Sequence, residues 1–243
     1  MASVDWQKSL RLEHQVARII ARQVRVGWQF DTEKAKALVA QLTEELEQLD
    51  SEIRPLLKQY PSQKGAEVKT PFKKNGEYTK MVLDWLDEVG LEPETRPVSG
   101  PFTRIEWNDL SLTQRDKLMV QLIAMGWKPT SYTEKGSPQL TPNKEPCPNL
   151  AKIPGGLGPK LSQYFLSAHR RGQIQGWIDN VRPDGRIEAQ VRPNATNTGR
   201  GAHRVVANVP KAEEGVYLGK EMRSLFIAKP GYKMVGWDAA SMQ

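Results

Sequence analysis

The apolar positions of the first sixty residues recur at steps of three and four, the period of a helix with one dry face. Leu12, Val16, Ile19, Ile20 and Val24 mark a helix over residues 5 to 26. Gly27 ends it, because glycine takes the left-handed turn after a helix without steric penalty. Asp31 stands where an N-cap belongs, its carboxylate able to accept from the free amides of the next turn. Ala35, Leu38, Leu42, Leu46, Leu49, Ile53 and Leu57 then form a stripe long enough for a helix packed on another helix. The triplet Asp31-Thr-Glu33 could be a nuclease metal pair on a strand, but at the head of a helix capping explains it.

Residues 60 to 106 change character. Pro61, Gly65, Lys69, Pro71, Lys73, Lys74 and Gly76 crowd the stretch, and Pro93, Pro97, Gly100 and Pro101 follow a short apolar helix from Met81 to Val89. Such composition marks an excursion between helical elements. Lys69-Thr-Pro-Phe-Lys-Lys74 reads either as a wet loop or as a grip on phosphate. Leu118, Leu122 and Met125 place an amphipathic helix over residues 110 to 127. Gly155-Gly-Leu-Gly-Pro-Lys160 resembles a phosphate cradle superficially, yet it lacks the spacing and hydroxyl of a P-loop, and Pro159 removes a donor amide. A helix from about Pro159 to Gly172 follows. From Asp184 the period changes to two: Gly185 to Arg192 alternates as a strand, and Tyr232 to Ala239 is a second, with a short helix from Gly219 to Phe226 between them. The expected class is α+β, helices first and strands last, with no internal repeat evident.

Charge adds a partner. Thirty-five Lys and Arg against 28 Asp and Glu leave a net charge of +7, which favours a polyanion, nucleic acid first. Cys147 is the single cysteine, so no disulfide forms within the chain, and it shares no metal-ligand spacing with His14, His169 or His203. A reducing compartment fits that usage. No run of about eighteen apolar residues exists and the start lacks a signal peptide's apolar stretch, so no membrane partner is expected.

The basic residues concentrate between 160 and 204. Lys160, Arg170, Arg171, Arg182, Arg186, Arg192, Arg200 and Arg204 meet only Asp179, Asp184 and Glu188. Asn194, Asn197, Thr198 and Asn208 sit among them, and arginine interleaved with amides suits hydrogen bonding along a nucleic-acid groove. A solvated basic face is the other reading. Asp238 follows the apolar Met234, Val235 and Trp237. An acid at the mouth of a strand can hold magnesium against phosphates, or simply cap the next helix.

These residues also compose a recognisable series. Asp184-Gly-Arg-Ile187, Pro193-Asn-Ala-Thr-Asn-Thr-Gly-Arg200, Asn208-Val-Pro210, Gly219-Lys-Glu-Met-Arg-Ser-Leu-Phe226 and Val235-Gly-Trp-Asp-Ala-Ala-Ser-Met-Gln243 together resemble the family A DNA polymerases in order and spacing. Upstream, Leu12-Glu-His14, Gly27-Trp-Gln-Phe-Asp31, Lys69-Thr-Pro-Phe-Lys-Lys74 and Gly126-Trp-Lys-Pro-Thr-Ser-Tyr-Thr-Glu-Lys-Gly136 resemble the phage branch, so the likeness runs from about residue 9 to 243.

The resemblance implies a mostly helical thumb followed by a partial antiparallel-sheet palm. Its divisions would be residues 1 to 60 as N-terminal palm and thumb helices, 61 to 105 as a thumb insertion, 106 to 182 as thumb helices and 183 to 243 as partial palm. It implies template-directed addition of deoxynucleotides to a primer with two magnesium ions. Asp238 matches a metal-binding aspartate and Ala239 a metal-binding carbonyl. Arg200 matches a contact to the primer-template backbone, and Arg170, Arg171 and Gln173 fall where the thumb tip meets duplex DNA; Arg192, Asn194, Asn197, Thr198, His203 and Asn208 complete the expected DNA-binding residues. Ser241 and Gln243 match nucleotide-binding positions, Gln243 replacing a glutamate that helps exclude ribonucleotides. The implied partners are primer-template DNA, deoxynucleotides, a complementary C-terminal polymerase fragment carrying the fingers and second palm aspartate, and a thioredoxin-like processivity factor at residues 61 to 105. The implied place is the cytoplasm of an infected bacterium, and the implied form a split or truncated enzyme, inactive alone. A non-catalytic DNA-binding accessory protein is the alternative. A single-subunit RNA polymerase fits poorly, since the Thr-Gly-Arg and Asn-Val-Pro elements belong to the DNA enzymes.

Overall fold

The structure is a computed structural model and describes residues 6–236. Asp238, Ala239, Ser241 and Gln243 lie outside the described residues. In chain order the elements begin with α1 (Trp6–Val26), β1 (Trp28–Phe30), α2 (Thr32–Ile53), β2 (Tyr60–Gln63), α3 (Lys80–Glu88), β3 (Ile105–Asn108) and α4 (Arg115–Ala124). They continue with α5 (Leu157–Ile178), β4 (Arg186–Ile187), β5 (Val191–Arg192), β6 (Ala202–His203), α6 (Gly219–Arg223) and β7 (Phe226–Ile227). Two compact units result: one holds residues 6 to 49, 141 to 146 and 162 to 236, the other 50 to 140 and 147 to 161.

In the first unit, turn chemistry sets the path. Gly27 has φ +60°, and a Cβ there would lie 2.7 Å from the carbonyl oxygen of Ile187, so a side chain is excluded on both counts. The Lys34 amide donates to Asp31 Oδ1 at 3.0 Å, which makes Asp31 the N-terminal cap of α2. Between these two signals lies β1, the central strand of an antiparallel sheet ordered β4-β1-β7. Trp28 pairs with Ile187, and Phe30 with Phe226. Three residues between two helices are too few to show alternation, so sequence periodicity does not reveal this strand. The core holds Phe30, Ala35, Leu38 and Leu42 against Ile174 and Trp177 of α5, with Ile187, Met222 and Leu225. Phe30, Trp177 and Phe226 meet edge to face, their ring centroids 5.1 to 6.4 Å apart. Each such contact contributes roughly 1 kcal/mol beyond the burial of area.

The second unit has its own core of Val68, Tyr78, Val82, Leu86 and Val98, with Phe72, Trp85 and Phe102 packed against it. Tyr78 is tied at its tip: its hydroxyl donates to the Val98 carbonyl at 2.8 Å and accepts from the Val98 amide at 3.2 Å. The antiparallel pair of β2 and β3 joins Tyr60 with Asn108 through to Gln63 with Ile105. A turn occurs twice in this unit. Thr79 N donates to Pro71 O, Lys73 N to Glu77 O and Gly76 N to Lys73 O; sixty positions later Gln139 N donates to Ser131 O, Thr133 N to Ser137 O and Gly136 N to Thr133 O. The repeat missed in the sequence is therefore a repeat of backbone, with glycine at the one position that needs a positive φ, +82° at Gly76 and +79° at Gly136.

Several expectations are corrected. Helix α1 forms over the expected range but has no buried residue; Trp6, Leu12 and Ile19 are 71%, 58% and 65% exposed. Helix α5 does not stop at Gly172. It runs through Gly172 and Gly176 to Ile178, because the burial of Ile174 and Trp177 outweighs the roughly 1 kcal/mol that each helical glycine costs. The strand expected from Gly185 to Arg192 is two short strands, β4 and β5, with different partners. Helix α4 starts at Arg115, not 110, because Leu110 and Leu112 are both buried in the segment that leads into it. Residues 232–236 form no strand: none of their backbone groups has a ladder partner among the described residues.

A polar network also crosses the first unit. Glu45 of α2 accepts from the Tyr217 hydroxyl (2.6 Å), Ser167 Oγ (3.0 Å) and Gln163 Nε2 (2.7 Å). Burial, and then the hydrogen bond to Glu45, push the Tyr217 phenol up to about 12 from 10.0. The folded state therefore holds this proton more tightly than the unfolded chain. Stability tied to it is present in full below pH 10 and lost as pH rises toward about 12. A Tyr217→Phe chain should lose less stability than the parent over that window in paired alkaline denaturation series. Equal losses would remove Tyr217 from the account.

Candidate nucleic-acid interface

Strands β5 and β6 pair Val191 with His203 and Arg192 with Ala202. The loop between them is closed by its own backbone. Ala195 N donates to Arg200 O (3.0 Å), Gly199 N to Thr196 O (2.9 Å), and Arg200 N to Thr196 Oγ1 (2.9 Å). Asn194 and Gly199 take left-handed φ, +48° and +73°. A short loop held this way turns its side chains outward, and Arg192, Asn194, Asn197, Thr198, Arg200 and His203 are all exposed. Six residues singled out in the sequence thus share one hairpin.

The same unit carries an open groove of about 570 Å³. One wall is α5, which lines it with His169, Gly172, Gln173 and Gly176; Lys144, Arg204 and Asn208 line it from elsewhere. Glycines four apart lie on one helix face, and nothing lies within 4 Å of where their Cβ atoms would be, so the wall is low there. Gln173 Nε2 donates to the carbonyls of Ala207 (3.0 Å) and Asn208 (3.1 Å), while its Oε1 is buried without a partner. Burial, followed by the charges of Arg170 and Lys144, holds His169 below its ordinary imidazole value. Gln173 and Asn208 are brought together as expected residues. Lys144 and His169 were not among the expected contacts, and the Gly172-x-x-x-Gly176 spacing is the sequence signal that could have pointed to the groove.

The arginines divide by what holds them. Arg182 donates to the carbonyls of Val24 (3.1 Å), Arg25 (3.1 Å) and Val26 (3.4 Å) and pairs with Asp184 at 3.0 Å; Arg186 donates to Val26 at 2.6 Å. Both satisfy the carbonyls that the last turn of α1 leaves open. Lys160 pairs with Glu52 at 2.8 Å. Arg170, expected at a DNA surface, is 6% exposed and donates to Glu145 at 2.9 Å, so its guanidinium is spent inside the unit. Among the described residues no carboxylate lies within ion-pair distance of Arg171, Arg192, Arg200 or Arg204. Cations without acids, beside amides and a low helix wall, suit phosphates and base edges.

Among the described residues no group of three His, Cys, Asp or Glu could hold a metal ion. No described helix is long and apolar enough to cross a membrane.

The chain is similar to curated phage proteins. It is 27% identical over 266 residues to the DNA-directed DNA polymerase of Escherichia phage T7, covering 92% of this chain and 36% of that protein. The DNA-directed DNA polymerase of Enterobacteria phage T3 is 26% identical over the same shares. That of Escherichia phage Phieco32 is 24% identical over 88% of this chain and 49% of its own length. The chain thus spans between about a third and a half of the relatives it matches. The fold is shared with the polymerase domain of Pol1 from M. smegmatis, solved in complex with DNA primer-template and dNTP: TM-score 0.55, 14% identity, 89% of this chain and 29% of that one. No family model matches the sequence. The resemblance to the phage-type family A DNA polymerases drawn from the motifs is borne out by these relatives.

Arg182→Met should cost about 2 kcal/mol, the value of its charge-assisted hydrogen bonds, and speed amide exchange in the last turns of α1. Unchanged melting and exchange would show that these contacts do not hold the helix.

Proposed function

From this kinship with the phage DNA polymerases, we propose that the chain is the thumb and first palm portion of a template-directed DNA polymerase that works in an infected bacterium. It holds primer-template DNA, and the fingers and remaining palm belong to the part of the relatives' length that this chain does not span. One observation carries the reading: over 92% of its length the chain aligns with DNA-directed DNA polymerases. The cations without acid partners in its first unit agree with it. Arg192, Arg200 and Arg204 grip the backbone, and the amides of Asn194, Asn197 and Asn208 complete the contact.

Asp238 and the carbonyl of Ala239 are this chain's contribution to metal binding. Bound magnesium would supply charge stabilisation to phosphoryl transfer. Two groups do not make a magnesium site by themselves, and the remaining ligands belong to the part of the polymerase that this chain does not span. Ser241 and Gln243 take the nucleotide-binding role that their match to the family's motif implies.

Primer extension by this chain, alone and mixed with a downstream polymerase fragment, tests the reading. Extension should appear only in the mixture and vanish with Asp238→Ala, while DNA affinity hardly changes. Activity that survives Asp238→Ala would remove the catalytic reading, and salt-sensitive binding without extension in either case would leave a DNA-binding accessory protein. Arg200→Gln should reduce the slope of log affinity against log salt by about one, the loss of a single phosphate contact. An unchanged slope would take Arg200 off the DNA.

A further inference from the structure

Residues 141 to 146 are a brief visit to the first unit, since the chain on both sides of them lies in the second. Within the visit, two successive residues that are not glycine take left-handed backbone: Asn143 at φ +53° and Lys144 at φ +67°. Asparagine tolerates that region, but lysine has no side-chain bond that compensates for the crowding of its Cβ. Such a residue persists only where its surroundings dictate it. Here the next residue supplies the restraint. Glu145 accepts from Arg170 Nη2 at 2.9 Å, and the Arg170 side chain is 7% exposed where that of Glu145 is 57% exposed. A buried cation with one carboxylate partner does not release it readily.

The strained turn brings Lys144 to the wall of the groove that also holds His169, Gln173, Arg204 and Asn208. Among the described residues no carboxylate pairs with Lys144 or with Arg204. A free surface lysine needs no strain to stay in water, and cations whose nearby acid, Glu145, is already paired with Arg170 repel one another until an anion arrives. We infer that Lys144 is a phosphate-binding residue of the groove, held there by the Glu145–Arg170 pair, with Arg170 acting as a positioning residue that does not touch the nucleic acid. This rests on the DNA-binding part of the proposed function.

The test is binding of a fluorescent primer-template duplex by the whole chain across a salt series. Lys144→Gln should lose one phosphate contact, so its deficit relative to the parent should shrink by about 3.5-fold between about 50 and 200 mM salt. Lys144→Gly separates position from charge: it relieves the left-handed strain, so Tm should rise while affinity falls as for K144Q. Glu145→Gln should weaken binding in the parent, yet add no further loss in the K144Q background. Parent-like affinity and slope in both Lys144 variants would make Lys144 a solvated charge and overturn the inference, while R200Q would still weaken a genuine DNA binder. A parent chain that binds no duplex would overturn this inference and the DNA-binding reading together.

Discussion

The contact of Phe30 with Trp177 and Phe226 is what the rest of the first unit depends on. It joins three segments far apart in the chain: a strand near the start, the end of α5, and a strand after α6. Backbone bonds accompany the rings. Phe30 N donates to Gly185 O and Asp31 N to Leu225 O. The residue that caps α2 and the residue that leads into β7 are therefore fixed against each other. Loss of this cluster would free β4 and β7 together, and with them the turn that carries the Arg182 cap and the approach to the β5–β6 hairpin.

Charge reading by composition treats eight basic residues between 160 and 204 as one population. The structure divides them. Arg182 and Arg186 are consumed by backbone carbonyls, which no count of acids reveals. Arg170 is consumed by Glu145, distant in sequence by 25 positions. What remains unpaired is a smaller set in the hairpin and groove. Helix ends carry the equivalent of about half a charge, enough to claim an arginine that would otherwise serve a ligand. A basic stretch is thus an upper limit on the charge offered to a polyanion.

Local signals were legible where one residue decides the outcome. Gly27 and Asp31 mark the end of α1 and the start of α2, and the stripe from Ala35 to Ile53 is buried almost throughout. Signals failed where a distant partner decides. The glycines of α5 read as a terminus because propensity counts only local cost, and Trp177 is buried by residues the window does not contain. The apolar face of α1 was read correctly as a face and wrongly as a buried one, since period alone does not name what covers it. The hairpin residues from Arg192 to His203 came together because a short loop keeps sequence neighbours as spatial neighbours. Lys144 was missed because its place depends on a turn pinned from α5, and Asp238, whose motif is local, lies outside the described residues.

Arg170 shows how a misread residue still informs. Two adjacent arginines beside Gln173 invite a common role, but helix geometry turns successive residues about 100° apart. Arg171 keeps an unpaired head while Arg170 points inward. Burying its guanidinium costs more than a single surface-reaching carboxylate returns, and its Nε has no partner at all. A leucine would have served stability better. What a leucine lacks is direction: the Arg170 guanidinium donates to the Glu145 carboxylate along a set line, and that line restrains where residues 141 to 146 lie. The expense of the buried charge is thus best understood as a constraint on the position of its neighbours, which is what a groove that must present a cation at one place requires.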